Sequence, residues 1–233
     1  RLFDGGIDYN RCGIPLIEIV TEPCFHSAEE ASDFLKELRL SLIHLGVSDC
    51  KIERGSMRCD VNVSVRRKNA PLGERCELKN VVGFNNIFHG ILYEEKRQRN
   101  IISGGGKIYR ETRRWDSAET KSVLLRSKEN TADYRYLSEP DLPAVFLPEE
   151  FIRGIGESLR LTPLPEEKRS RYVSLGISRQ TAEDIVNDIE KDGLLRECLG
   201  LDICSPKTAA LLINGAAAAF LRERPDLTEA ERD

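Results

Sequence analysis

The sequence predicts an α+β fold with a mainly antiparallel sheet and flanking helices, followed by a small all-α domain. Segments that alternate apolar and polar residues occur only in the first half of the chain, and after the proline-rich segment 161–165 only helical periodicity remains. We therefore predict a first domain over residues 1–160 and a helical domain over residues 164–233. A chain of 233 residues, 40% hydrophobic and 32% charged, is long enough for both.

Two elements open the first domain. Residues 13–20 (GIPLIEIV) are mostly apolar and are entered through Gly and Pro, which predicts a buried strand. Ser27 is followed three residues later by Glu30, a spacing typical of a capping box, and apolar residues then recur at helical spacing up to Leu45. Gly46 can adopt the left-handed conformation that ends a helix, so we predict a helix between Ser27 and Gly46.

Two strands with one polar face follow the helix. Residues 57–66 alternate, with apolar side chains at odd positions and polar ones at even positions. Residues 75–80 alternate in the same way, and the segment between them, 69–74, has the composition of a turn. This order predicts an antiparallel pair of half-buried strands.

The rest of the chain is predicted to be mainly helical. Asn85 or Asn86 can cap a helix that runs to about Ile102, and a strand over residues 107–115 follows. Residues 133–148 are rich in proline and aromatic residues and predict an extended loop. The helical domain is predicted to contain helices at residues 166–174, 180–192 and 206–222, the last capped by Ser205 with Pro206 at its first position.

The carboxylates on these strands are the most informative candidate site. Glu18 interrupts an apolar run, where a charge is costly unless it is compensated, and Asp60 and Glu77 lie on the polar faces of the next two strands. Clustered carboxylates with few histidines suit a hard cation such as Mg²⁺, and Arg58 and Lys79 could steady phosphate oxygens. The alternative is a set of structural ion pairs.

Other features narrow the function classes. No apolar run approaches the roughly 18 residues of a membrane helix, so we expect no membrane partner. The chain has seven cysteines and no C-x-x-C motif, which is typical of reduced core thiols, with a metal or redox role as the alternative. Residues 96–114 hold seven basic side chains and one acidic one, and this stretch either faces phosphates or forms a solvated surface.

Six blocks of the sequence are spread across residues 8–150. They are DYNRCGIPLIEIVTEP (8–23), LGVSDCKIERGSMRCDVNVSVR (45–66), ELKN (77–80), YEEKRQ (93–98), ETRRWD (111–116) and DYRYLSEPDLP (133–143). In composition, order and spacing these blocks resemble the signature segments of the GatB family, the B subunits of the tRNA-dependent glutamyl/aspartyl amidotransferases.

The resemblance implies a fold and an activity. The family's cradle domain is similar to the glutamine synthetase and guanido kinase fold. Its members use ATP and Mg²⁺ to phosphorylate the side-chain carboxylate of Glu-tRNA(Gln) or Asp-tRNA(Asn). An amidase (A) subunit supplies ammonia from glutamine, and a small C subunit completes the complex. We thus expect a carbon–nitrogen ligase subunit in a bacterial-type cytoplasm or an organelle. A non-catalytic tRNA-binding module and a free-standing ligase of small amino acids are the alternatives.

The resemblance also assigns roles to individual residues. Glu18 matches the glutamate of the family's PLIEIV block, which helps to hold the metal, and Asp60 and Glu77 match acidic positions that line the same kinase site. We therefore predict Glu18 and Glu77 as catalytic residues, all three carboxylates as metal ligands, and Arg58 and Lys79 as cofactor-binding residues. The only methionine is Met57. We expect an internal piece that lacks the family's N-terminal segment and C-terminal tail domain and is inactive by itself.

Overall fold

The strands form two separate sheets. The computed structural model describes residues 2–3, 6–7, 13–127, 143–201 and 204–217. A short antiparallel pair joins β1 (Leu2–Phe3) to β2 (Gly6–Ile7). The larger sheet has the order β3-β4-β5-β6 and consists of Val61–Val63, Cys76–Lys79, Glu111–Asp116 and Lys121–Ser127.

The larger sheet is mixed, with an antiparallel pair at each edge and a parallel pair between them. β3 pairs with β4 and β5 pairs with β6 in antiparallel fashion, as the alternating segments predicted for the first pair. β4 and β5 are parallel, because the long helix between them returns the chain to the end of the sheet at which β4 began. The α+β class is confirmed. Two of the three strand pairs of this sheet are antiparallel.

The prediction of a buried strand at residues 13–20 is wrong. These residues form no strand, and their side chains are exposed, with Leu16 at 77% and Val20 at 81%. A strand needs a neighbour that accepts and donates its backbone hydrogen bonds, and no residue of the described ranges pairs with this segment. Apolar composition alone was therefore not enough to bury it.

Helix α1 (Ala28–His44) begins and ends close to its predicted bounds. Ser27 Oγ accepts a hydrogen bond from the Glu30 amide at 3.1 Å, which is half of a capping box. The Glu30 carboxylate accepts from the backbone amide of His26 at 2.7 Å instead of closing the box on Ser27. Gly46 has a φ of +67° and ends the helix as predicted.

Helix α2 (Phe84–Ser103) starts without the predicted asparagine cap. Its N-cap residue is Gly83, whose φ of +90° is one that L side chains rarely adopt, and no side chain caps the helix. Asn86 forms two other hydrogen bonds instead of capping the helix. Its Nδ2 donates to the Val82 carbonyl at 2.6 Å, and its Oδ1 accepts from Trp115 Nε1 at 3.1 Å. The asparagine thus ties the first turn of α2 to strand β5.

Helix α2 covers one face of the larger sheet. A Cβ on Gly90 would lie 3.4 Å from Leu78 Cδ1 and 3.7 Å from the Trp115 ring, so the helix backbone approaches the strands closely at this residue. The buried residues of this core are Leu78, Val81, Ile87 and Trp115.

Helices make up the described structure after residue 143. Helix α3 (Glu149–Leu161) was not predicted, and none of its residues is buried. The predicted single helix at 180–192 is wrong, because Asp188 accepts hydrogen bonds from the Glu190 and Lys191 amides and starts a new helix. The others are α4 (Pro165–Ser174), α5 (Arg179–Val186), α6 (Ile189–Leu201), α7 (Pro206–Leu212) and a π-helical segment, Ile213–Ala217.

Ser205 caps α7 and Pro206 begins it, as predicted. The predicted loop at 133–148 is described only from residue 143 onward, where it has no regular structure up to residue 148. The predicted last helix lies within the described residues only as far as 217. No helix in the described ranges is long and apolar enough to cross a membrane.

The second hydrophobic core joins α1 to the later helices. Leu40 of α1 lies in the same buried cluster as Tyr172, Ile185 and Leu195 of α4, α5 and α6. Arg169 of α4 also forms a two-pronged ion pair with Glu37 of α1, with both N–O distances at 2.9 Å. Helix α1 therefore contributes side chains to this helical core as well as packing beside α2.

A buried polar group strengthens this junction. Lys168 Nζ lies 2.7 Å from both Asp192 Oδ2 and His44 Nδ1, and the Tyr172 hydroxyl donates to Asp192 Oδ1 at 2.6 Å. Because an ammonium group only donates, Nδ1 of His44 accepts and its Nε2 donates to the Val186 carbonyl at 2.8 Å. These contacts connect α1, α4, α5 and α6.

Candidate functional site

The polar face of the larger sheet lies opposite helix α2. Strand register places Asn62 of β3 opposite Glu77 of β4, and Glu77 beside Thr112 of β5. Cross-strand partners project to the same face, whereas neighbours along one strand project to opposite faces. The predicted polar face of the β3–β4 pair is therefore continued by β5, and we call this surface the open face of the sheet.

Two of the three predicted carboxylates meet on the open face. Lys79 Nζ lies 2.6 Å from Asp60 Oδ2 and 3.1 Å from Glu77 Oε1, so one ammonium group bridges both acids. Thr112 Oγ1 donates to the other oxygen of Glu77 at 3.0 Å. We call Asp60, Glu77 and Lys79 the open-face cluster.

Exposure falls across the open-face cluster from one acid to the other. The side chain of Asp60 is 50% exposed, that of Lys79 36% and that of Glu77 18%. The hydrogen bond to Asp60 raises the pKa of Lys79, burial opposes that rise, and the hydrogen bond to Glu77 adds to it. Lys79 is therefore a full positive charge at neutral pH, held between two carboxylates that solvent can reach.

Glu18 and Arg58 do not join the open-face cluster within the described structure. Glu18 lies on the exposed segment 13–20, and it makes no hydrogen bond or ion pair with another described residue. Arg58 is exposed, and it too has no polar contact with the described residues. Their assigned roles therefore stay predictions.

The donor set of the open-face cluster fits a magnesium–phosphate site only in part. Among the residues that the structure describes, no three His, Cys, Asp or Glu side chains lie close enough to hold a metal ion. The Lys79 ammonium nevertheless marks a position for positive charge between Asp60 and Glu77. Mg²⁺ is commonly held by one or two carboxylates together with waters and substrate phosphates. Asp60 and Glu77 would therefore suffice as the protein ligands of a magnesium ion.

The opposite face of the sheet contains a carboxylate that sequence reasoning missed. Glu94 of α2 has a fully buried side chain and accepts hydrogen bonds from Arg97 at 2.9 and 2.7 Å and from Gln98 at 2.9 Å. Ser122 Oγ donates to it at 3.3 Å, and Arg113 Nε lies 3.8 Å away. We call Glu94, Arg97, Gln98 and Arg113 the buried network.

The buried network also binds backbone and a second acid. Gln98 bridges β3 by donating to the Val63 carbonyl and accepting from the Val65 amide, both at 3.0 Å. Glu111 lies 2.7 Å from Arg113 Nη1 and 3.5 Å from Arg97 Nη2. The network thus joins α2 to β3, β5 and β6, which is a structural task.

Two cysteines beside these groups are held as thiols. Burial and the neighbouring carboxylate of Glu94 raise the pKa of Cys76 to about 12. Burial and the charge of Asp60 raise the pKa of Cys59 to about 11. A thiolate is the form that attacks or binds metal, so these two side chains serve as small core residues.

The basic stretch at 96–114 is not one continuous surface. Arg97 and Arg113 turn inward to the buried network, and Arg99 pairs with Glu95 on the surface of α2 at 2.6 Å. Only Lys96 and Lys107 are exposed without an ion pair to a described residue, and Lys107 lies 5.7 Å from the Tyr109 ring centroid. About half of the stretch therefore serves the structure.

A sequence signal for the buried network exists, but it is weak. Glu94, Arg97 and Gln98 have the i, i+3 and i, i+4 spacing of neighbours on one helix face. Charged residues at that spacing usually lie on a solvated face, so the pattern alone favours the surface. The register of β5 and β6 beneath the helix decides otherwise.

Comparison with known proteins gives one consistent family. The family model described as "GatB/GatE catalytic domain" matches residues 4–153. A protein of Rickettsia bellii, named as the B subunit of an aspartyl/glutamyl-tRNA(Asn/Gln) amidotransferase, is 43% identical over 225 residues, which is 96% of this chain and 46% of the relative. The protein of the same name from Symbiobacterium thermophilum is 50% identical over 186 residues, 79% of this chain and 38% of the relative. The chain therefore spans less than half the length of these relatives.

Proposed function

Since the chain belongs to the GatB family, whose catalytic-domain model covers residues 4–153, we propose that it activates a carboxylate carried on tRNA with ATP. The relatives are named as B subunits of an Asp/Glu-tRNA amidotransferase. We propose the same complex for this chain, with an amidase (A) subunit and a small C subunit as partners. Glu-tRNA(Gln) and Asp-tRNA(Asn) are the proposed substrates.

The proposed reaction has two steps. An oxygen of the glutamyl or aspartyl side chain attacks the γ-phosphorus of ATP, the bond to the β-phosphate oxygen breaks, and ADP leaves. Ammonia released from glutamine by the amidase partner then attacks the acyl carbon, loses a proton, and displaces inorganic phosphate. The products are Gln-tRNA or Asn-tRNA, ADP and phosphate.

The open-face cluster is the observation that carries this proposal. Asp60 and Glu77 reach one cationic position from neighbouring strands, and solvent reaches that position from the open face. A bound Mg²⁺ would be held there by these two carboxylates, with Glu18 as a further predicted ligand, and would neutralise charge on the transferring phosphoryl group. Phosphoryl transfer depends mainly on such positioning and charge stabilisation.

The neighbouring side chains would orient the two carboxylates. Thr112 binds one oxygen of Glu77 and leaves the other directed at Lys79. Lys79 holds both acids on the same side, and its ammonium group would be available to a phosphate oxygen if the two carboxylates held a divalent cation. Arg58, exposed two residues before Asp60 in the chain, is the second predicted phosphate contact.

A non-catalytic tRNA-binding module is the second candidate. It is favoured by exposed Lys96 and Lys107 and by Tyr109, which is 61% exposed and lies under the Lys107 ammonium. Cations beside an exposed aromatic ring suit a single-stranded nucleic-acid end. This candidate requires salt-sensitive tRNA binding that does not depend on the carboxylates.

The test uses the assembled amidotransferase carrying this chain. Glu77→Gln and Asp60→Asn keep the side-chain size and remove the charge, and Glu18→Gln tests the predicted third ligand. We expect ADP formation that depends on Glu-tRNA to fall at least about a hundredfold for Glu77→Gln, as is typical when a stabilising group is lost. Glu95→Gln, on the surface of α2, is the matched control.

Binding of tRNA, measured on the same proteins, separates the two candidates. Loss of ADP formation with unchanged tRNA affinity supports the kinase site. Full ADP formation in the Glu77→Gln and Asp60→Asn complexes would remove the open-face cluster from the chemistry and leave the tRNA-binding module.

A further inference from the structure

Arg97 of α2 contacts two parallel strands at once on the helix-covered face of the larger sheet. Its Nη2 atom donates to Cys76 Sγ of β4 at 3.1 Å and lies 3.5 Å from a carboxylate oxygen of Glu111 in β5. Cys76 and Glu111 are register partners in the parallel pair β4–β5. One guanidinium group therefore holds a matched pair of residues, one from each strand.

The next residue along each strand belongs to the candidate site. In β4 the residue after Cys76 is Glu77. In β5 the residue after Glu111 is Thr112, which is the register partner of Glu77. Consecutive residues of a strand project to opposite faces, so this second pair lies on the open face, across the sheet from the pair that Arg97 holds. The register brings Thr112 Oγ1 to 3.0 Å from Glu77 Oε2.

The pairing of β4 with β5 is short, so its register needs support. The two strands share four register pairs, from Cys76 beside Glu111 to Lys79 beside Arg114. Parallel pairing is also slightly less stable per residue than antiparallel pairing. A slip of one residue would turn the side chains of one strand to the other face and separate Thr112 from Glu77. A contact that fixes this register therefore acts directly on the position of the Glu77 carboxylate.

The guanidinium group of Arg97 is itself held in place. Glu94, one turn earlier on α2, accepts hydrogen bonds from Nε at 2.9 Å and from Nη2 at 2.7 Å. Because a guanidinium is planar and its donors have fixed directions, this pairing also fixes the donors that face the strands. Near its other end, α2 is tied to β5 by the hydrogen bond from Trp115 to Asn86.

We propose that Arg97 is a positioning residue for Glu77. It lies on the face opposite the open-face cluster and acts through the register of β4 and β5, which sets the direction of the Glu77 carboxylate. This inference deepens the proposed function and rests on it for the role of Glu77 in phosphoryl transfer. The link between Arg97 and the two strands rests only on the contacts and the register.

The test uses Arg97→Lys in the assembled amidotransferase. Lysine keeps the positive charge, but its single ammonium group lacks the planar fork of donors that reaches Glu94 and both strands. Arg99→Lys is the matched control, because Arg99 lies two residues along α2, is 67% exposed and pairs with Glu95 on the helix surface. Thermal unfolding verifies that each variant is folded.

The kinetic effect is expected in kcat. We expect Arg97→Lys to lower the kcat of tRNA-dependent ADP formation by about ten- to a hundredfold, since a small misplacement of a group at the reaction costs that much. The KM for MgATP should change little, and Arg99→Lys should keep the kcat of the parent. An unchanged kcat in Arg97→Lys, or an effect confined to KM, would overturn the positioning role.

A double-mutant cycle separates positioning from a general loss of stability. Glu77→Gln removes the charge that Arg97 positions, so adding Arg97→Lys to that variant should lower kcat little further. A role in stability alone predicts that the two losses multiply. Multiplying losses would therefore contradict the proposal.

Hydrogen exchange of backbone amides provides a readout that does not depend on activity. We expect the amides of β4 and β5 to exchange faster in Arg97→Lys than in the parent, while those of α5 stay the same. Unchanged exchange in both strands would refute the link. Faster exchange in both strands, combined with full ADP formation by Glu77→Gln, would keep the link and refute the proposed role of Glu77.

Cys76→Ala decides the outcome if Arg97→Lys fails to fold. It removes the acceptor on β4 and leaves the pairing of Arg97 with Glu94 intact. Cys59→Ala is its matched control, because Cys59 directly precedes the other acid, Asp60, and its Sγ lies 3.8 Å from the carbonyl of that neighbour. We expect kcat to fall for Cys76→Ala and to stay at the parental value for Cys59→Ala. Equal kcat values for these two variants would overturn the proposal.

Discussion

The two faces of the larger sheet hold carboxylate–cation groups of similar composition and opposite character. On the helix-covered face, Glu94 has a fully buried side chain and receives hydrogen bonds from Arg97, Gln98 and Ser122. On the open face, Asp60 is half exposed, and it shares one ammonium group with Glu77. The first group is saturated by protein donors, whereas the second still has oxygens directed at solvent.

This difference separates an acid that is saturated by protein partners from acids that solvent can reach. A buried carboxylate with every partner in place stabilises one arrangement and has nothing left to offer a ligand. The ion pair between half-exposed Asp60 and Lys79 costs little to rearrange, so another cation can take the place of the lysine beside this carboxylate. Counting acidic residues cannot distinguish the two groups, but burial and partners can.

The largest expected effect is on the buried network. Glu94→Ala leaves Arg97 and Arg113 with Glu111 as their shared acid and removes the buried acceptor of Gln98 and Ser122. We expect the free energy of unfolding to fall by about 3–5 kcal/mol. Glu95→Ala, one residue along α2 and on its surface, should cost less than about 1 kcal/mol. Urea denaturation of both variants measures the difference. Equal, small effects would show that the network is not structural.

The second largest loss of stability is expected for a substitution of Asp192 in the helical core. Asp192 is fully buried between Lys168, Tyr172 and Arg196, so Asp192→Asn removes the charge that balances the buried ammonium of Lys168. We expect a loss of about 2–3 kcal/mol, the cost of leaving a buried charged partner unsatisfied. Asp184→Asn on the neighbouring helix is the control. A stability change below that of the control would contradict this role.

Acid should weaken the buried network. Burial alone would raise the pKa of Glu94, but hydrogen bonds from Arg97 and Gln98 outweigh it and lower the pKa. A lowered folded pKa means stabilisation that is complete above the unfolded value of about 4.3 and is lost as pH falls through the folded pKa. Glu94 should therefore contribute a slope of at most about 1.4 kcal/mol per pH unit below that value.

Denaturation between about pH 5 and pH 2 tests this slope. The parent should lose stability more steeply than Glu94→Gln, which lacks the titrating group. Parallel pH curves for the two proteins would mean that Glu94 keeps its ordinary pKa in the folded state.

The smallest stability effect is expected on the open face. Asp60→Asn breaks one ion pair with a half-exposed side chain, and such pairs contribute about 1 kcal/mol or less. The thermal midpoint should therefore move by only a few degrees, while tRNA-dependent ADP formation falls strongly. A loss of stability as large as that of Glu94→Ala would place Asp60 among the structural acids.

The sequence predicted the elements whose patterns are local. Residues 57–66 and 75–80 alternate, and the antiparallel pair β3–β4 forms within them, although β3 covers only Val61–Val63. The helix after Ser27 follows from its cap, its apolar spacing and Gly46. The same alternation placed Asp60, Glu77 and Lys79 on one face, and these three residues do meet.

Predictions failed where a second segment decides the outcome. Residues 13–20 are apolar enough for a strand but have no described neighbour to pair with. Strand β6 was not predicted, because the adjacent Leu124 and Leu125 are both apolar and break the apolar–polar alternation of a half-buried strand. Both leucines are about half exposed in the structure. On the partner strand β5, the pairing register with β6 shifts between Thr112 and Arg113, which also interrupts the alternation of the two faces.

The sequence by itself determined the α+β class, the family blocks and the acids of the candidate site, because side-chain periodicity and spacing are properties of one segment. Only the tertiary structure decided that Glu94 is buried, that Lys79 bridges two carboxylates, and that Thr112 of β5 lies beside Glu77 of β4. These outcomes depend on the parallel pairing of β4 with β5 and on the position of α2. Register and helix docking join residues that are distant along the chain, so no single segment encodes them.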